Sequence, residues 1–156
     1  MKSIKEWGYL APKWLQEATT ENENVSILKN GTVIWHRGTW VSGEWKGGIW
    51  LGGAWESGTW NGGNWISGIF KKGTWFDGFW GSGIWSDGVW HRGVWLGGSW
   101  NGGIWVGGEW VFGCWCGGTW LGGKWLDGSW DAGDWFSGEW LEGEWYDEEA
   151  PHPNLR

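Results

Sequence analysis

Reactive side chains are scarce in this chain: three histidines, two cysteines and a scattered set of carboxylates. His36 and His91 both sit in a WHRG string, beside Arg37 and Arg92, and the two strings are eleven repeat units apart; His152 lies near the C-terminus. Nucleophilic catalysis needs a Ser or Cys within hydrogen-bond reach of a base that is itself oriented by a third group. No such grouping can be assembled from these spacings. Glycine is abundant, but no GxxxxGK[ST] phosphate loop occurs. Cys114 and Cys116 flank Trp115, and residues i and i+2 of a strand face the same side, so the pair could offer two thiolates to a soft metal. With no third or fourth ligand nearby in sequence, they read as ordinary small outward residues. The expectation is a chain with no catalytic, cofactor or metal site.

What the sequence does supply is a rhythm. The chain has 156 residues, one domain's worth, with 24 Trp and 33 Gly, a skew that signals a repeat. From residue 35 to residue 145 an aromatic falls at every fifth position: Trp35, Trp40, Trp45, Trp50, Trp55, Trp60, Trp65, Phe70, Trp75, Trp80, Trp85, Trp90, Trp95, Trp100, Trp105, Trp110, Trp115, Trp120, Trp125, Trp130, Trp135, Trp140 and Trp145. From Gly38 to Gly143 the residue two places before it is always Gly; Val33 holds that place in the first unit. Neither regular element accepts period five. A strand would send successive indoles to opposite faces, and a helix would spiral them around its axis. A chain that turns a corner every five residues returns each Trp to one interior. Gly then serves the corner's dihedrals and leaves room for an indole. The position two after Trp is often small or turn-forming, as at Ser42, Gly47, Gly52, Ser57 and Asp77. The expected fold is all-β: a single-stranded β-solenoid over residues 33–147, with every repeat aromatic in its core. Each buried indole N–H needs an acceptor, expected to be a corner carbonyl.

Units such as GTWVS (Gly38–Ser42) and GNWIS (Gly63–Ser67) resemble the pentapeptide-repeat family, with Gly in its small slot, Trp in its central slot, and Phe70 matching a usual central residue. The chain is also similar to the Trp-rich GxW-repeat proteins of tailed phages. The first resemblance implies a right-handed, four-sided β-helix with about 20 residues per coil. Lys72, Arg92 and Phe112, twenty residues apart, would then stack on one edge.

Solenoid ends need caps. Residues 1–32 are expected to form the N-terminal one. Ser3-Ile4-Lys5-Glu6 has the form of a capping box, and Ile4, Trp7, Leu10, Trp14, Leu15 and Ala18 trace a helical stripe broken by Pro12. VSILKNGTVIW (Val25–Trp35) reads as a hairpin turning at Asn30-Gly31. From Asp127 to Glu149 there are nine carboxylates and no Lys or Arg, a charge that blocks end-to-end stacking. Residues 148–156 read as a disordered tail.

Function is therefore expected on the surface. At twenty-residue spacing, Phe76, Leu96, Cys116 and Phe136 share one face beside Val94 and Cys114; Ile66, Ile84, Ile104, Val106 and Leu126 form another apolar set, with Phe112 at a corner. Stripes this apolar point to an interface with a second copy or another protein. The net charge of −7 disfavours direct nucleic-acid binding, and no apolar run is long enough for a membrane span. The leading expectation is a non-enzymatic structural or interaction rod, homo-oligomeric or bound to a protein, cytoplasmic or virion-associated in a host cytoplasm. The alternative is an acidic surface mimic, of DNA for instance, that inhibits a host enzyme. A third reading, photophysical use of the Trp ladder, follows from composition alone and ranks last.

Overall fold

The computed structural model describes all of residues 1–156. Two single-turn helices, α1 (Ile4–Trp7) and α2 (Lys13–Gln16), precede strand β1 (Thr19–Ile27) and strand β2 (Val33–Ser42). Twenty-one two-residue strands follow, from Glu44–Trp45 to Glu144–Trp145, each made of the repeat Trp, or Phe70, and the residue before it. All of them pair in parallel, and the pairing gives the coil size directly. Trp50 lies beside Trp65, Trp65 beside Trp80, and Trp90 beside Trp105. The register is fifteen residues, three units per coil, and the solenoid makes about seven turns. The cross-section is three-sided, which corrects the expected four-sided coil of 20 residues. β2 turns a corner within its length, so it pairs through Trp35 with Trp50 and through Trp40 with Trp55. It thereby joins two faces into one 16-stranded sheet, while the third face is a separate 7-stranded sheet.

Side-chain volume explains three sides. The repeat glycine contributes nothing to the interior, so each unit sends in one side chain, and three indoles meet at the centre of each coil. Successive rings pack edge to face, as in Trp80–Trp85 at 6.0 Å and 73°, while rings fifteen residues apart stack, as in Trp80–Trp95 at 4.7 Å and 6°. Both are favoured arrangements of the ring quadrupole. The repeat aromatics from Trp35 to Trp130 are 0 % exposed, so the inward assignment holds along the rod.

The glycines serve the corners, though not by making room for indoles first. The repeat glycines have φ between +98° and +136°. From Gly48 onward a Cβ there would lie 2.2–2.6 Å from the carbonyl oxygen of the residue fifteen earlier. The corner is thus held against the coil before it by backbone, not side chain. Val33 escapes this rule because its coil is the first. Antiparallel β1 lies against that coil, with Ile27 opposite Val33 and Val25 opposite Trp35.

The N-terminal segment docks as a cap. Ser3 and Glu6 complete the capping box: the Ser3 amide donates to Glu6 Oε2 at 2.7 Å and the Glu6 amide to Ser3 Oγ at 3.2 Å. The Ser3 amide, joined by the Ser3 hydroxyl donating to Glu6 Oε2 at 3.0 Å, holds the Glu6 carboxyl below its usual pKa. Leu15 is fully buried, and the Trp14 ring meets Trp45 at 5.1 Å, closing the open end of the indole core. Helix stops at Gln16, and Thr19 onward is strand, which shortens the helical stretch expected from the apolar stripe. The hairpin turns at Asn30-Gly31, where Asn30 Oδ1 accepts from the Thr32 amide at 3.0 Å. At the other end the tail is ordered over the last coil. Trp145 Nε1 donates to the carbonyls of Asp147 and Ala150, and His152 packs edge-on against Trp140 at 5.0 Å. Asn154 donates to the Trp140 carbonyl at 3.3 Å and Arg156 to that of Trp135. Those carbonyls have no further coil to accept from, so the tail's side chains cap them in its place.

Candidate interaction surface

On each side of the triangle the residues before and after the indole point outward. On the first face, whose core column runs Trp35, Trp50, Trp65, Trp80, Trp95, Trp110, Trp125 and Trp140, the residues after Trp are His36, Leu51, Ile66, Gly81, Leu96, Val111, Leu126 and Leu141. From Leu51 onward this is an aliphatic column interrupted once, at Gly81. Leu51, Ile66, Leu96 and Leu141 are 39–47 % exposed. The column before Trp adds Ile34, Ile49, Phe79 and Val94, with Phe79 paired in register to Val94. Toward the C-terminal end this second column turns charged, with Glu109 beside Lys124 and Lys124 beside Glu139.

The third face carries a shorter apolar column: Phe76, His91, Val106, Leu121 and Phe136, with the Phe76 and His91 rings stacked at 4.8 Å. On the second face the column after the indole is polar, while Ile69 and Ile84 of the column before it are 40 and 41 % exposed. Glu56 and Lys71 pair there at 2.8 Å, and Ser86, Asn101, Cys116 and Asp131 continue the column.

Period fifteen re-sorts the expected interface. Ile66, Leu96 and Leu126 share one column of the first face; Phe76, Val106 and Phe136 share one column of the third; Cys116 lies on the second face and Phe112 at the corner between the first and second. The set spaced by twenty is therefore dispersed over three faces. Lys72, Arg92 and Phe112 likewise fall on three different corners, and Arg92 pairs instead with Asp77, fifteen residues earlier, at 3.3 Å.

The histidines are held apart and each is engaged structurally. His36 Nε2 meets Ser26 Oγ at 2.8 Å, and burial, followed by the N-terminal ammonium, lowers its pKa. His91 stacks on Phe76, and His152 belongs to the C-terminal cap. A hollow of about 560 Å³ lies between α2 and the first full coil, lined by Lys13, Trp14, Glu17, Gly43, Glu44 and Lys46. Within it Lys13 Nζ pairs with Glu17 Oε1 at 3.7 Å.

The expected indole acceptors are found at a minority of sites. Trp65, Trp80, Trp85 and Trp105 each donate to the carbonyl seventeen residues on, at 3.1–3.2 Å. Fifteen other buried repeat indoles lack a partner within bonding geometry. The same corner peptide stands beside several of them: Nε1 of Trp115, Trp120 and Trp125 lies 3.0–3.1 Å from where a Cβ would sit on the glycine eighteen residues on. The donors therefore gather at the corners, and most stop short of the carbonyl.

No helix is long and apolar enough to cross a membrane. No family model matches the chain, and no curated protein or solved structure shows significant similarity to it.

Proposed function

We propose that this protein is a non-catalytic interaction rod that self-associates through its first face, two copies packing antiparallel. The observation that carries this reading is the aliphatic column Leu51, Ile66, Leu96, Val111, Leu126 and Leu141, left in water by a monomer whose indole core is already filled. A two-fold axis lying in that face, across the rod, sets residues of each column opposite the same column of the other copy in reverse order. Leu51 then meets Leu126, Ile66 meets Val111, and Leu96 meets the gap at Gly81. Arg37 meets Glu142. A parallel pair would instead bring together two C-terminal ends, each holding the nine carboxylates between Asp127 and Glu149, and like charges at such range repel.

At ~4.8 Å per coil the face is ~34 Å long, and three strand residues make it ~10 Å wide. That is a small interface, below the about 800 Å² per partner of a standard one, so the expected affinity is micromolar and the native mass should rise with concentration. Light scattering between about 5 and 200 µM tests it: a monomer throughout rejects the reading, and Leu96→Glu should yield a monomer with unchanged circular dichroism. For orientation, Leu51→Cys and Leu126→Cys chains, both in a Cys114→Ser/Cys116→Ser background, should cross-link when mixed and not separately. Cross-linking of either alone would refute the antiparallel order.

The acidic-mimic reading gains less from the geometry. Glu139 lies on the first face, Asp131 and Glu144 on the second and Asp134 on the third, a ring around the last coils and not a strip along the rod. Placement in a host cytoplasm or a phage particle rests on the sequence resemblance, and the three-sided coil departs from the four-sided form which that resemblance implies.

A further inference from the structure

The second face holds a grouping invisible in the linear sequence. Cys114 and Cys116 both point outward around buried Trp115, and Asp131 stands one coil on, in the column of Cys116. The two Sγ atoms are 3.2 Å apart, Asp131 Oδ2 is 3.4 Å from Cys114 Sγ, and the three ligand atoms all lie within 4.8 Å of one another. Their backbones are fixed by ladder rungs: the Cys114 amide donates to Gly98 at 2.9 Å, Cys116 to Trp100 at 2.7 Å and Asp131 to Trp115 at 2.9 Å. No Lys, Arg or His lies within ion-pair distance of Asp131. We propose that Cys114, Cys116 and Asp131 form a surface binding site for a soft divalent cation of the zinc–cadmium class.

The geometry suits such an ion. Tetrahedral zinc with bonds of about 2.3 Å to sulfur and about 2.1 Å to oxygen separates two sulfurs by about 3.8 Å and a sulfur from an oxygen by about 3.6 Å. The Sγ–Sγ and Cys114–Asp131 separations of 3.2 and 3.4 Å are slightly shorter than these, and the Cys116–Asp131 separation lies within 4.8 Å. Three protein ligands leave the fourth position to water, and the site faces solvent on a side away from the aliphatic column. A bound dication stabilises the thiolates and displaces the thiol protons to solvent, so affinity should rise with pH.

The test uses the reduced full-length chain and Co²⁺, whose thiolate complexes absorb in the visible, where tryptophan does not. One Co²⁺ per chain should bind with a sulfur-to-metal charge-transfer band and be displaced by Zn²⁺. Cys116→Ser should abolish the band, and Asp131→Asn should weaken binding at least tenfold with circular dichroism unchanged. Native mass spectrometry gives the stoichiometry. No saturable binding, binding unaltered in both variants, or one ion per two chains would each overturn the proposal.

Discussion

Gly98→Ala should unfold this protein at a far lower urea concentration than its neighbour Gly97→Ala, although the two glycines are adjacent in one coil. Gly98 has φ +106°, and a Cβ there would sit 2.4 Å from the Gly83 carbonyl oxygen and 2.9 Å from the Gly83 nitrogen. Backbone cannot move aside as a side-chain tip can. The Ser99 amide donates to that same carbonyl at 3.0 Å, so separating the coils breaks a rung as well. An unfavourable dihedral alone costs about 1–3 kcal/mol, and with the clash the loss should exceed about 3 kcal/mol. At Gly97 a Cβ would find its nearest neighbours at 3.8 and 4.0 Å, and the backbone is not left-handed. Alanine there should be neutral, or stabilise by about 0.4–1 kcal/mol through the unfolded chain. Because each coil touches only its neighbours, a break at Gly98 should also split a single melt into two steps. Coincident urea midpoints for the two variants, followed by circular dichroism, would refute this account of the corner.

The contrast between those glycines also marks what could be read beforehand. Every Gly two before Trp has positive φ, a need local to one five-residue unit. The inward indole, the capping box at Ser3 and the turn at Asn30-Gly31 are local too, and each was legible. The number of sides is not a local property: a unit of five closes a coil of any number of corners. A record of it does exist in the residues after Trp, since Leu51, Ile66, Leu96, Val111, Leu126 and Leu141 are aliphatic at steps of fifteen with one gap, at Gly81. Reading the surface at steps of twenty mixed that column with Phe76, Cys116 and Phe136. The same error of period hid Asp131 from the two cysteines, because the contact joins adjacent coils. The placement of the tail is not local either: Asn154 and Arg156 reach carbonyls that the last coil leaves open, and nothing within residues 148–156 announces those acceptors.

The indole core yields the other large effect: Trp95→Ala should cost about 3–5 kcal/mol, the usual range for deleting a buried aromatic, whereas Trp95→Phe should cost about 1 kcal/mol. Trp95 is 0 % exposed, stacked between Trp80 at 4.7 Å and Trp110 at 4.8 Å, and edge-on to Trp90 and Trp100 at 5.9 and 5.8 Å. Alanine leaves four rings facing a void that their fixed corners keep from collapsing. Phenylalanine keeps a ring in the stack, and Phe70 shows that the slot takes one, at 5.5 Å from Trp55 and 4.2 Å from Trp85. The exchange also deletes an N–H that has no acceptor, since Trp95 Nε1 is unpaired, and an unmet buried donor is itself destabilising. Trp105→Phe separates these two terms. Trp105 occupies an equivalent place, but its N–H reaches the Gly122 carbonyl at 3.1 Å, so the same substitution there loses a bond as well as ring area. It should cost about 1 kcal/mol more than Trp95→Phe. Urea melts of the three variants decide the matter. Equal losses for Trp95→Phe and Trp105→Phe would mean that the indole nitrogens contribute alike and that ring stacking alone sets the stability of the rod.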